Sequence, residues 1–128
     1  MSVQFNHAIL AARDRHASAS FFAHLFGLPE PTSWGPFTRV SLTEDVHLQF
    51  AEPAVDEIQM QHVAFLVDDE TFDQIYTRIQ ATDLEHWADP QGTQPGQINT
   101  HHGGRGVYFK DPAGQGLEVI TRPYGSGS

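Results

Sequence analysis

The stretch of sequence that decides the fold is Arg105–Thr121, which reads RGVYFKDPAGQGLEVIT. Two short runs of apolar and polar residues predict strands at Arg105–Lys110 and Leu117–Thr121. Between them, Asp111–Gly114 has the residues of a type I turn, with Asp first, Pro second and Gly fourth. The second strand carries Glu118 among apolar neighbours, where a carboxylate is costly unless it is paired or binds a cation. The stretch therefore predicts a hairpin with a chemically significant carboxylate.

The strand-rich pattern continues upstream through the second half of the chain. Gln61–Val67 is predicted to be a strand, and the helix after it is capped by Asp68 or Asp69. The helix has an apolar stripe at helical spacing, formed by Phe72, Ile75, Tyr76 and Ile79. Leu84–Trp87 is predicted to be a further strand, and Asp89–Gly104, rich in Pro, Gly, Gln and Asn, a long loop.

The first half of the chain has the same order of elements. A strand at Val3–Ala11 precedes a helix that Asp14 caps and Gly27 closes. Two shorter strands follow, predicted at Phe37–Leu42 and Val46–Phe50, and Pro31–Trp34 is a candidate for an additional strand. Because both halves run strand, helix and returning strands, the pattern indicates a structural repeat without a repeated sequence.

The repeat predicts one domain, residues 1–128, built from two modules. Module one covers about residues 3–52 and module two about 60–123, with a linker at about 53–59. Neither half is large enough to fold comfortably alone, so we expect the two modules to pair sheet against sheet. The tail, Gly125–Ser128, is predicted to be flexible.

Composition narrows the classes of function. With 7 Lys and Arg against 16 Asp and Glu, the formal charge of −9 argues against nucleic acid or an anionic membrane as a partner. The absence of cysteine excludes disulfides, thiol nucleophiles and cysteine-ligated metals. Residues 1–7 lack a secretion-signal pattern, so we expect a cytoplasmic protein.

Two histidines and one glutamate stand at related strand positions. His7 and His62 lie in the first strand of each half, 55 residues apart, and Glu118 lies in the last strand. Two imidazoles and a carboxylate suit divalent Fe, Mn, Zn, Ni or Co and leave positions open for substrate. The alternative is that each histidine is a hydrogen-bonded core or interface residue and that the glutamate faces solvent.

Several motifs resemble the vicinal oxygen chelate superfamily, which includes glyoxalase I, extradiol dioxygenases, fosfomycin-resistance thiol transferases and bleomycin-resistance proteins. The resemblance covers nearly the whole chain, and it is carried by Phe5–Ile9, Leu25–Leu28, Gln61–Phe65, Gly104–Gly114 and Leu117–Val119. It implies an α+β fold of two paired βαβββ modules that form a U-shaped sheet around a metal site. The family's ligand positions fall here on His7, His62 and Glu118. It also implies a homodimer in which each site takes ligands from both chains.

Three further residues are candidates for moving a proton in such a site. Tyr108 matches a tyrosine near the metal in dioxygenase-like and fosfomycin-type members, and it shares a strand face with Lys110. Gln49 falls where glyoxalase-like members use a fourth ligand, usually Glu, so it is either a weak ligand or a substrate contact. His47 lies on the same strand face as Gln49. Arg105 could neutralise an acidic substrate or pair with surface acids, and we expect the surface role.

The resemblance leaves two functions open. The first is a divalent-metal-dependent enzyme, glyoxalase-like or dioxygenase-like, whose small substrate chelates the metal through adjacent oxygens. The second is a non-catalytic protein of the bleomycin-resistance type, which sequesters an aromatic drug. Such binders typically lack the two histidines and the glutamate, so their presence favours the enzyme.

Overall fold

The computed structural model describes residues 2–127, which divide into two compact units. One unit comprises residues 2–59 with 111–114, and the other comprises residues 60–110 with 115–127. Each unit contains a four-stranded mixed sheet and one α-helix, as the resemblance implies. We call them module one and module two.

Module one contains four strands and helix α1. The elements are β1 His7–Ala11, α1 Arg15–Phe26, β2 Thr32–Trp34, β3 Phe37–Thr43 and β4 Val46–Ala51. The sheet order is β1-β4-β3-β2, with β1 parallel to β4 and the other pairs antiparallel. The ring of Phe22 on α1 stacks on that of Phe26, with the ring centroids 4.2 Å apart, and its centroid lies 6.4 Å from that of Phe50 in β4. These rings form the core between the helix and the sheet.

Module two repeats this arrangement. Its elements are β5 His62–Leu66, α2 Asp69–Ala81, β6 His86–Trp87, β7 Gly106–Lys110 and β8 Gly116–Ile120. The sheet order is β5-β8-β7-β6, and again only the first pair is parallel. The buried face of α2 consists of Phe72, Ile75 and Ile79, as the stripe predicted, while Tyr76 is only half-buried.

The predicted helix ends are confirmed. Gly27 ends α1 in the left-handed region, at φ 69°, where a glycine carries no Cβ penalty. Asp68, rather than Asp69, caps α2 and accepts a hydrogen bond from the Thr71 amide at 2.8 Å. The predicted turn is also present, because the amide of Gly114 donates to the carbonyl of Asp111 at 3.0 Å.

Two predicted strands begin two or more residues later than expected. Strand β1 begins at His7, not at Val3, because its partner β4 pairs only from His7 onward. Val3 and Phe5 are 87% and 62% exposed, so their alternation does not mark a core face. Strand β6 begins at His86, because the amide of Leu84 donates to Ile79 at the end of α2 instead of to a sheet partner.

The cap of α1 provides a stability prediction. The Asp14 carboxylate accepts from the amides of His16 and Ala17 at 3.0 and 3.1 Å. Replacing Asp14 with Ala leaves both amides without this acceptor and should lower the free energy of unfolding by about 1 kcal/mol. Urea denaturation measures the loss. Asp14→Asn is the control and should stay within a few tenths of a kcal/mol, since asparagine also caps well; an equal loss in both variants would contradict the capping role.

Candidate metal-binding and active site

The predicted residues His62 and Glu118 come together in module two. Glu118 lies in the middle of β8 and is 1% exposed. Its Oε1 lies 2.9 Å from Nε2 of His62, the first residue of β5. In the sheet register, Gly116 lies opposite His62 and Glu118 lies opposite Ala64, so His62 and Glu118 share a face. Because Gly116 has no side chain, it leaves the imidazole room above the sheet.

A second tyrosine, which the sequence analysis did not identify, contacts the same carboxylate. The hydroxyl of Tyr124 donates to both oxygens of Glu118 at 2.7 Å. The hydroxyl of Tyr108 lies 3.1 Å from that of Tyr124. Since the proton of Tyr124 is directed at Glu118, Tyr108 is the donor in the second bond. The three side chains therefore form a hydrogen-bonded chain that ends at the buried carboxylate.

Tyr124 is held in place by contacts that no local pattern reveals. Its ring stacks on that of His102, with the centroids 4.9 Å apart. The amide of Gly125 donates to Nδ1 of His102 at 2.9 Å. The start of the tail that was predicted to be flexible is thus anchored to the turn at residues 101–103, whereas Ser128 lies outside the described residues.

Both tyrosines are held in the protonated form. Burial raises the pKa of Tyr108 far above its ordinary value, and its hydrogen bond to Tyr124 and the nearby charge of Glu118 raise it further. Burial also raises the pKa of Tyr124, and the adjacent Glu118 acts in the same direction. Tyr108 and Tyr124 are therefore hydrogen-bond donors at neutral pH, and the raised pKa makes Tyr108 a weaker acid than an ordinary tyrosine.

The other predicted site residues lie on one face of module one. His47 is opposite His7 and Gln49 is opposite Ile9 in the parallel pairing of β1 with β4. Gln49 is buried, at 8% exposed, whereas His7 is exposed. Nδ1 of His47 lies 3.4 Å from Oγ of Ser41.

The neighbours of His7 define which ring nitrogen carries the proton. The amide nitrogen of Asn6 donates to the carbonyl of Asp45 at 2.9 Å, which orients the Asn6 amide oxygen toward Nδ1 of His7 at 2.7 Å. An amide oxygen only accepts, so in the neutral tautomer that fits this contact Nδ1 carries the hydrogen and Nε2 presents a lone pair. This is the arrangement that metal-binding histidines commonly have.

The two sheets place Gln49 and Glu118 at equivalent positions. Gln49 lies opposite the residue two positions after His7, and Glu118 lies opposite the residue two positions after His62. On the next strand, Arg39 faces Gln49 just as Tyr108 faces Glu118. Arg39 was not identified from the sequence, and within residues 2–127 its buried Nε has no hydrogen-bond partner.

Over the part of the chain that the structure describes, no three or more His, Cys, Asp or Glu side chains form a group that could hold a metal ion. His62 and Glu118 are thus a pair, with nitrogen and oxygen donors that converge on one point. Their fit to a cation rests on Glu118: the carboxylate is buried, and among residues 2–127 its only ion-pair partner is an imidazole. A divalent cation at this point would compensate the buried charge.

The comparison with known families decides the classification. The model of the Glyoxalase/Bleomycin resistance protein/Dioxygenase superfamily matches residues 4–119. The chain belongs to this superfamily. The match covers both modules, including His7, Gln49, His62 and Glu118.

The relatives of this chain within the superfamily carry the names of different activities, namely oxidases and a thiol transferase. The solved structure of "Oxidase ChaP-H1" is 50% identical, with a TM-score of 0.92, over 98% of this chain and 100% of that one. "Oxidase ChaP-H2" is 48% identical, with a TM-score of 0.93, over the full length of both chains. "Metallothiol transferase FosB" of Shouchella clausii (strain KSM-K16) is 29% identical over 121 residues, 91% of this chain and 78% of that protein.

Two further findings concern the ion pairs of Arg105 and the helices of this superfamily member. Arg105 has the expected surface role: its guanidinium donates to the carboxylates of Asp73 at 2.7 Å and Asp69 at 3.2 Å. Neither helix within residues 2–127 has the length and apolar character needed to cross a membrane.

Proposed function

We propose that this protein is a divalent-metal-dependent, dioxygenase-like enzyme of the superfamily that oxidises a small substrate bearing two adjacent oxygens, with molecular oxygen as the oxidant. The observation that carries the proposal is the pair formed by His62 and Glu118, a half-exposed imidazole 2.9 Å from a fully buried carboxylate. The names of the two oxidases that are about half identical to this chain support oxidation over isomerisation.

The donor set defines the range of suitable metals. Neutral imidazole and carboxylate together suit Fe, Mn, Ni, Zn or Co. A divalent cation held by His62 and Glu118 would supply Lewis acidity toward adjacent substrate oxygens. Oxidation favours a redox-active metal within this range.

The chain's own residues then have separate tasks. Tyr124 holds both oxygens of Glu118, which orients the carboxylate. Tyr108, kept protonated by burial, would turn its hydroxyl from Tyr124 and donate a hydrogen bond to a substrate oxygen. Gln49 and His47 are proposed to act from module one, with Gln49 as a weak ligand or a substrate contact and His47 as an acid or base.

The third proposed ligand, His7, belongs to module one. We propose a homodimer with two equivalent sites, each of which takes His7 from one chain and His62 with Glu118 from the other. The linker of about eight residues can span up to about 28 Å, which is long enough for an exchanged arrangement. A two-fold dimer also pairs the exposed strand edges of the sheets by using one surface twice.

Mixing two inactive variants tests this arrangement. His7→Ala and Glu118→Ala homodimers should each bind little metal, whereas a heterodimer of the two should recover one intact site. The metal content of heterodimers isolated after chain exchange through two affinity tags should therefore rise to about half of the wild-type value, since one site of two is intact. Mixed His62→Ala and Glu118→Ala chains are the control, because both lesions fall on the same side of the site and leave no intact one.

Verified heterodimers of the first pair that bind no more metal than their parents would overturn the shared site.

The alternative function, a drug-binding protein of the bleomycin-resistance type, is favoured by the aromatic groove beside His62. It predicts ligand binding without turnover under any of the candidate metals.

A further inference from the structure

A groove of about 390 Å³ lies beside His62 in module two. Its walls are mostly apolar or aromatic side chains, contributed by Met60, Trp87, Pro90, Tyr108, Leu117 and Tyr124. This volume lies within the range of small-molecule sites, which are typically apolar with a few polar groups that fix orientation. All of the lining residues belong to module two.

The groove contains one cation, and it is unusual in this chain. Lys110 lines the groove and is the only lysine in a sequence with a formal charge of −9. Among residues 2–127 its ammonium group has no ion-pair partner, even though acidic side chains outnumber basic ones by 16 to 7. The one lysine is therefore available to an anion from outside the chain.

The sheet register explains the shape of the groove. Trp87 lies opposite Tyr108 and supplies an aromatic wall beside it. Gly116 lies between Lys110 and His62 in the neighbouring row and leaves the floor without a side chain. A Cβ added at Gly116 would meet Met60 Sδ at 3.4 Å and His62 Nδ1 at 3.7 Å, both ordinary contact distances.

We propose that this groove binds a planar aromatic anion, with its ring against Trp87 and Tyr108 and its acidic group at Lys110. Flat rings stack favourably on aromatic side chains, and the exposed ammonium group of Lys110 at the edge of the groove attracts a carboxylate or phenolate. The inference rests on the proposed function, since the groove adjoins His62, and it narrows the substrate of that site to an aromatic acid or phenolate.

Calorimetric titration of metal-free protein with 2-naphthoate and with 2-naphthamide, its neutral analogue, tests the proposal. Wild-type protein should bind the anion up to about five-fold more tightly than the amide, which is the upper end of what one exposed charge pair supplies. Lys110→Gln should abolish this preference and Lys110→Arg should keep it. Arg13→Gln, which removes an exposed cation from module one, is the matched control and should leave the preference unchanged.

A second variant fills the groove itself. Gly116→Val should weaken both probes by at least about ten-fold, because the new methyl groups occupy the floor beside His62. Gly116→Ala should weaken them less, and circular dichroism checks that both variants fold. Undetectable binding of 2-naphthoate to wild-type protein, or equal preference in wild type and Lys110→Gln, would overturn the proposal. Since these titrations contain no metal and metal titrations contain no aromatic probe, this inference and the proposed function can fail separately.

Discussion

Replacing Glu118 with glutamine should lower the affinity for a divalent metal by at least about 100-fold. Outer partners of metal ligands typically contribute 10–100-fold, and a charged ligand should contribute at least as much as the upper end of that range. The substitution keeps the size of a side chain that is 1% exposed, and an amide still forms hydrogen bonds with His62 and Tyr124. The fold should therefore remain while the charge is lost.

Stability without metal provides a second expectation for the same variant. A buried carboxylate costs desolvation energy, so metal-free Glu118→Gln should unfold at the wild-type temperature or above it. The free energy of unfolding of wild-type protein should rise by about 2.7 kcal/mol when the free metal concentration is 100 times its Kd. That of the variant should rise little at the same metal concentration. Thermal unfolding with and without metal measures both effects.

The matched control is Glu85→Gln, which removes one negative charge from an exposed position of the same module. It should leave metal affinity and the metal-dependent stabilisation at wild-type values. Wild-type metal affinity in Glu118→Gln would remove Glu118 from the ligand set. An equal loss of metal affinity in both variants would mean that the effect comes from the change in overall charge.

Replacing Phe72 with alanine should lower the free energy of unfolding by about 3–5 kcal/mol, a larger loss than that of any other substitution predicted for this protein. Phe72 is 1% exposed on the inner face of α2, and the guanidinium of Arg105 lies 4.5 Å from its ring centroid. The substitution removes the buried ring, leaves a cavity and ends the contact with Arg105. The midpoint of thermal unfolding should fall by about 10 °C or more, as measured by calorimetry on metal-free protein.

Ile75→Val is the matched control for this substitution. Ile75 is also 1% exposed on the same helix, but the change removes one methylene and should cost about 1 kcal/mol. A loss of similar size in the two variants would mean that the site at Phe72 collapses without leaving a cavity. It would contradict the role of the ring as the main core residue of α2.

Local signals were sufficient to predict most of the fold. Asp14 and Gly27 were identified as the ends of α1 because capping and left-handed backbone depend on residues that are neighbours in sequence. The turn at Asp111–Gly114 was predicted for the same reason. The ends of β1 and β6 were misplaced because a strand extends only as far as its partner, and the partner is distant in sequence.

The buried carboxylate of the candidate site was also predicted from its neighbours. Apolar residues on both sides of Glu118 indicated burial, and the matched positions of the first strands drew attention to His7 and His62. That His62 contacts Glu118 follows from the parallel register of β5 with β8, which joins residues 56 positions apart. The ligand roles of these residues stay predictions for the variants above to test.

The sequence by itself determined the two strand-and-helix repeats, the helix caps, the hairpin turn and the charge buried at Glu118, because each depends on residues within a few positions. Only the tertiary structure decided that Tyr124 contacts Glu118 and that Lys110, Gly116 and His62 form one row of the groove. The physical reason is that sheet register and the anchoring of the C-terminal segment depend on contacts between distant parts of the chain. No local propensity encodes which side chains those contacts bring together.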